Sequence, residues 1–175
     1  MAYDLEQFCS ETRATLQSSG ALEDKLARVS EKLAALLANP AFVASAFADD
    51  TPPGQRLLYR DDATDFHVLA HVQRGGKSGM PHSHGTSWAI YGSARGFTDM
   101  TEWRRVNPES EPQAVLEPAS KYRLEQGRTH FYAPHVMHFD ITIPPFAGTH
   151  GRRSRTARGV TGNRTGPAGF LANSE

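Results

Sequence analysis

Residues 81–92 read PHSHGTSWAIYG, two histidines one residue apart ahead of an alternating run that ends in Tyr91 and Gly92. Successive side chains of a β-strand point to opposite faces, so a strand here turns His82 and His84 to the same side. Two imidazoles so placed can share one ion, each nitrogen about 2.0–2.2 Å from it. A bare His-x-His also arises by chance in many strands, and its weight depends on what surrounds it.

Downstream of Gly54 the chain is a series of short alternating segments: RLLYR, DFHVLAHVQ, HSHGTSWAIYG, GFTDMTEWRRV, AVLE, YRLE, THFYAP, HFDITI and RTARGVTG. The turn-rich stretches RGGKSG, NPESEPQ, EQG and IPPFAGTHG join them. Many short strands at this spacing predict a sandwich or barrel, not a parallel sheet with crossover helices. Upstream the apolar period is helical. Leu5, Phe8, Thr12 and Leu16 form one stripe, and Leu22, Leu26, Val29, Leu33 and Leu36 form a second that stops at Asn39–Pro40. PAFVASAFA adds a third helical piece before DDTPPG breaks the chain. The expected organisation is a single domain: helices over 1–50 packed on a barrel over 54–163, then a flexible tail over 164–175.

The 175 residues carry 19 basic and 19 acidic side chains and one cysteine, Cys9. Balanced charge speaks against nucleic acid, which needs a clustered basic surface. The five arginines between Arg152 and Arg164 have no interleaved aromatics for base stacking and read as a solvated loop and a final strand. A lone cysteine offers no bridge and no paired-thiolate metal site. The start has no basic region followed by an apolar core, and no apolar run approaches the roughly 20 residues that span a bilayer, so a cytoplasmic protein with no membrane partner is expected.

The series Gly76, His82, His84, Ala89, Gly96 resembles the first motif of the cupin family, and Gly127 to His138 has the glycine-to-histidine spacing of the second. Pro134 stands one place late, His135 where a second glycine is usual, and Thr142 where asparagine is common. The resemblance implies an α+β, mainly β fold, the cupin double-stranded β-helix or jelly-roll barrel with an N-terminal helical segment. It also implies a metal held by His82, His84 and His138, with His135 as the competitor for the third place. Most metal cupins carry glutamate at the position of Ala89, and alanine cannot ligate.

A carboxylate-free three-histidine set resembles the thiol dioxygenase branch typified by cysteine dioxygenase. In that branch an arginine on an early strand binds the substrate carboxylate, and Arg60 in LLYRDDATDFHVLAHVQRGGKSGMPHSH matches it. Arg60 equally suits an ion pair with Asp61, Asp62 or Asp65. The serine, histidine and tyrosine relay of a late strand has no counterpart, since Arg158 and Val160 stand in its place. Arg158 then becomes a candidate anion anchor, and Tyr91 or Tyr132 a candidate source of the hydroxyl. The remaining histidines, His67, His71, His130 and His150, read as surface, barrel-lining or loop residues, and Trp88 as core or pocket wall.

These features lead to an iron(II) dioxygenase acting with O2 on a small thiol or related anionic metabolite, with nickel, manganese or zinc as other metals the donors suit. The chain is expected to be a monomer or homodimer. The alternatives are a cupin dioxygenase cleaving carbon–carbon bonds in a diketone or enolate, and a non-catalytic metal- or ligand-binding sensor.

Overall fold

The computed structural model describes residues 2–74, 77–78, 82–143 and 165–171. Three helices come first: α1 (Leu5–Gln17), α2 (Leu22–Leu37) and α3 (Pro40–Ala46). Their ends follow local chemistry. Asp4 caps α1 by accepting the Gln7 amide at 2.9 Å, and Asn39 caps α3 by accepting from Ala41 and Phe42, with Pro40 in the first turn. Among the described residues no helix is long and apolar enough to cross a membrane.

Among the described residues nine strands follow: β1 (Gly54–Arg60), β2 (His67–Arg74), β3 (Lys77–Ser78), β4 (Ala89–Arg95), β5 (Phe97–Arg105), β6 (Leu116–Glu125), β7 (Thr129–Tyr132), β8 (Met137–Ile143) and β9 (Thr165–Leu171). They pair into two sheets, ordered β1-β2-β9-β4-β7 and β3-β8-β5-β6, and all named strand pairs are antiparallel. With β1 set aside as an added edge strand, the two four-stranded sheets have the strand order of a jelly roll, two interlocked Greek keys. The fold is therefore α+β, mainly β, a cupin-type barrel with an N-terminal helical segment.

The first sheet is packed on both faces, and β4 shows how. Ile90 and Ala94 join Leu26, Val29, Leu33, Leu36 and Leu37 of α2, Phe8 of α1 and Phe66, Val68 and Ala70 in one buried cluster. Ala89 and Tyr91, one residue out of phase, join Leu69, Met100, Leu124, Tyr122 and Tyr132 in a second cluster between the sheets. Gly92 lies on the helix side, where an added Cβ would come within 2.6 Å of Leu37 Cδ1 and 3.2 Å of Leu33 Cδ2. Ser30 Oγ donates to Thr129 Oγ1 at 3.0 Å and so ties α2 to β7. Trp88 is buried in the helix-side cluster, so it belongs to the core and not to the barrel interior.

Four expectations need correction. His-x-His is not part of a continuous strand: His82 makes one isolated bridge to His138, and a turn at Gly85–Thr86 separates His84 from β4. AVLE and YRLE are not two strands; residues 116–125 run as one, with a register shift opposite Glu102 and Trp103 that accommodates Pro118. Lys77–Ser78, expected as loop, pairs with β8. The expected tail contains β9, which sits inside the first sheet between β2 and β4. TGPAGFL gives no alternation and places Pro167 in a central strand, a combination that argues against a strand on sequence grounds. The conflict is relieved because the register with β2 shifts between Val72 and Arg74, opposite that proline. RTARGVTG and Arg158 lie outside the described residues.

Candidate metal centre

His82 and His138 are joined through their backbones, the His82 amide donating to the His138 carbonyl at 3.0 Å and the His138 amide donating back at 2.9 Å. This reciprocal pair fixes two imidazoles side by side, with ring centroids 4.7 Å apart. His84 follows in the loop. Its carbonyl accepts the Ser87 amide at 3.1 Å, and the Gly85 carbonyl beyond it accepts the His135 amide at 2.7 Å. The second-motif turn thereby clamps the first-motif loop. Gly85 (φ 61°) and His135 (φ 66°) both adopt left-handed backbone at this junction.

One ring nitrogen from each of His82, His84 and His138 lies within 4.8 Å of the others, so the three could hold a metal ion. Burial is graded across the trio: His138 is buried, His84 half-buried and His82 exposed. Burial, then the neighbouring His82 and His84, pushes His138 down to about 4, against a weak opposing pull from the Val136 backbone. Burial and His82 also lower His84. Neutral imidazoles keep their lone pairs free for a cation, and the absence of a carboxylate leaves the charge of that cation uncompensated. The donors present thus fit a borderline divalent metal.

Tyr91 and Tyr132 reach the same place from β4 and β7. The Tyr91 hydroxyl lies 3.1 Å from His84 Nε2 and 3.3 Å from His138 Nε2. Tyr132 is buried and stacked on His138 with ring centroids 4.0 Å apart. Its hydroxyl is hydrogen-bonded to that of Tyr122, and burial first of all raises both phenols well above their usual range. Behind them His130 packs on Tyr122 and Tyr132, at 4.7 and 4.8 Å, and meets Glu102 at 3.1 Å. Tyr122, Glu102 and His130 were not legible as site neighbours, because β5, β6 and β7 bring them together only through long-range pairing.

Arg60 lies opposite His67 across β1 and β2, on the sheet face that Leu69 turns to the barrel interior. Its guanidinium is exposed and meets Asp65 at 3.2 Å; it does not touch the imidazoles. Asp61 is taken by a different cation, Arg13 of α1, which donates to it at 2.6 Å. His135 is exposed on its turn and stands outside the trio that His138 completes.

A groove of about 540 Å³ runs along α1, lined by Leu5, Glu6, Cys9, Ser10, Arg13 and Tyr59, on the helix side of the first sheet. Burial, then Asp61, pushes the Cys9 thiol up to about 12, with Arg13 opposing, so that thiol is no nucleophile near neutral pH.

No protein-family model and no curated protein matches the sequence. Solved structures resemble it at low identity. KdgF from Halomonas sp. is 14% identical, with 69% of this chain and 78% of that chain aligned and a TM-score of 0.41. The cupin domain of Schizosaccharomyces pombe Cnp3 is 6% identical over 72% and 65% of the two chains, with a TM-score of 0.46. An oxalate oxidase is 14% identical over 71% of this chain and 52% of its own, with a TM-score of 0.41.

Proposed function

We propose that this chain is a mononuclear non-haem iron dioxygenase acting on a small thiol or a related anionic metabolite, with O2 as co-substrate. The observation that carries the reading is the carboxylate-free trio of imidazoles, buried at His138 and open to solvent at His82. Iron(II), when bound, supplies the redox chemistry that lets O2 react with a closed-shell substrate, and the uncompensated charge favours an anionic partner. For a thiol the net change is RS⁻ + O2 → RSO2⁻: both oxygen atoms pass to sulfur, and no external reductant is consumed.

The residues divide the work. His138, held by its bridge to His82 and by the face of Tyr132, presents a lone pair in a fixed direction. The Tyr91 oxygen, beside His84 Nε2 and His138 Nε2, adds a polar oxygen to the three ring nitrogens. Arg60 is the proposed carboxylate anchor: its pair with Asp65 is exposed, and such pairs are worth about 0–1 kcal/mol, so a substrate carboxylate can take the place of Asp65. Arg158 is retained as a second proposed anion anchor.

The test is oxygen uptake by iron-loaded protein against cysteine, cysteamine, mercapto acids, diketones and enols, with product analysis. Sulfinate formed in step with O2 consumed is the expected result. Uptake with a diketone or enol and none with any thiol would replace this reading by carbon–carbon cleavage, and binding without uptake would replace it by a sensor.

A further inference from the structure

Two atoms bound to one ion at about 2.1 Å stand about 3.0–3.4 Å apart at octahedral or tetrahedral angles. The Tyr91 oxygen stands 3.1 Å from His84 Nε2 and 3.3 Å from His138 Nε2, which are the separations of atoms sharing an ion. We infer that Tyr91 is a fourth metal ligand, an oxygen donor that occupies the place left by Ala89.

The strand makes this substitution possible. Ala89 is fully buried on the barrel face of β4, and its methyl group extends no donor toward the trio. Tyr91 is on the same face, two residues on, about 6.6–6.8 Å along the strand. A phenol is long enough to cover that offset. Ring packing sets its direction, with Tyr132 at 5.6 Å and His138 at 5.4 Å, both edge to face.

Hydrogen bonding alone accounts for this contact only while the imidazoles are metal-free. One hydroxyl has one proton; it can donate to one Nε2 and accept from the other if that ring carries its proton on Nε2. Once both Nε2 lone pairs are turned to a cation, neither can donate to Oη or accept from it. The oxygen already stands at ligand distance from both nitrogens.

The inference rests on the three-imidazole metal centre of the proposed function and is independent of the substrate. The experiment loads the whole protein with iron, oxidises it to the ferric form, and records visible absorption and resonance Raman spectra beside elemental analysis. The expected result is an intense phenolate-to-iron(III) charge-transfer band with tyrosinate vibrations. The band is lost in Tyr91→Phe, which keeps the ring and at least half of the iron, and is kept in Tyr132→Phe. Full iron with no such band in the wild type overturns the fourth ligand and leaves the three-histidine centre standing, as does a band unchanged in Tyr91→Phe. Failure of the wild type to bind iron overturns both. Cobalt(II) or copper(II) spectra of Tyr91→Phe identical to wild type would overturn the ligand role without reference to iron.

Discussion

Tyr132 lies flat on the His138 imidazole, ring centroids 4.0 Å apart and planes 10° from parallel. The contact holds a buried ring whose neighbours are mostly other rings, and it ties ligand geometry to the packing of β7. Truncation and removal of the hydroxyl are therefore expected to separate. Tyr132→Ala opens a cavity beside His138 and should cost about 3–5 kcal/mol. Tyr132→Phe loses the bond to Tyr122 and should cost about 0.5–1.5 kcal/mol. Urea midpoints of the two variants check the order; equal losses would mean that the stack contributes nothing.

Metal content should follow the trio. His82→Ala and His138→Ala are each expected to lose bound iron by elemental analysis, whereas His135→Ala, altered only on the exposed turn, keeps most of it. Retention by His138→Ala with loss in His135→Ala would move the centre to the other histidine.

Gly92 allows α2 to lie against β4. Gly92→Ala puts a methyl group against Leu33 and Leu37 and is expected to destabilise the fold by about 1–3 kcal/mol through overpacking, with metal content per folded molecule unchanged. An unshifted melting temperature would show that the helix layer yields freely.

Acid should loosen the joint between α1 and the barrel. Burial alone would raise the Asp61 carboxyl, but bonds from Arg13, Thr64 and Tyr59 together outweigh it and hold the group well below its usual range. Its contribution is complete above the unfolded value of about 3.9 and fades as pH falls from there toward the lower folded value. Melting temperature should therefore drop more steeply between about pH 5 and pH 2 in the wild type than in Asp61→Asn. Parallel curves would remove Asp61 from the account.

Arg60→Ala is expected to raise KM for mercapto acids by at least tenfold and to leave KM for cysteamine, which has no carboxylate, nearly unchanged. Arg60→Lys should recover only part, since an ammonium does not reproduce the bidentate fork. Equal effects on both substrates would exclude carboxylate recognition.

The helices and most of the strands were legible because each is specified locally, by an apolar stripe such as Leu26–Val29–Leu33 or an alternation such as Phe66–Val68–Ala70. That His82, His84 and His138 come together was legible through the resemblance of their two segments to the cupin motifs. β9 was not, since its glycines and proline give no pattern and only the slot between β2 and β4 makes it a strand. The loop position of His84, the stack of Tyr132 on His138 and the Glu102–His130 contact all come from distant segments meeting, which local pattern does not encode.

β4 has two constituencies separated by the parity of residue number. Even positions 90, 92 and 94 answer to the helices, while 89 and 91 answer to the barrel interior beside the three histidines. Substitutions at the odd positions reshape the histidine pocket without disturbing the helical coat, and those at even positions act on the helical packing. A one-residue insertion within this strand would exchange the two sets at a stroke, sending Tyr91 into the coat and an aliphatic chain into the pocket. Point substitution can thus vary the pocket residue by residue, whereas a change in the length of β4 turns over every side chain beyond it at once.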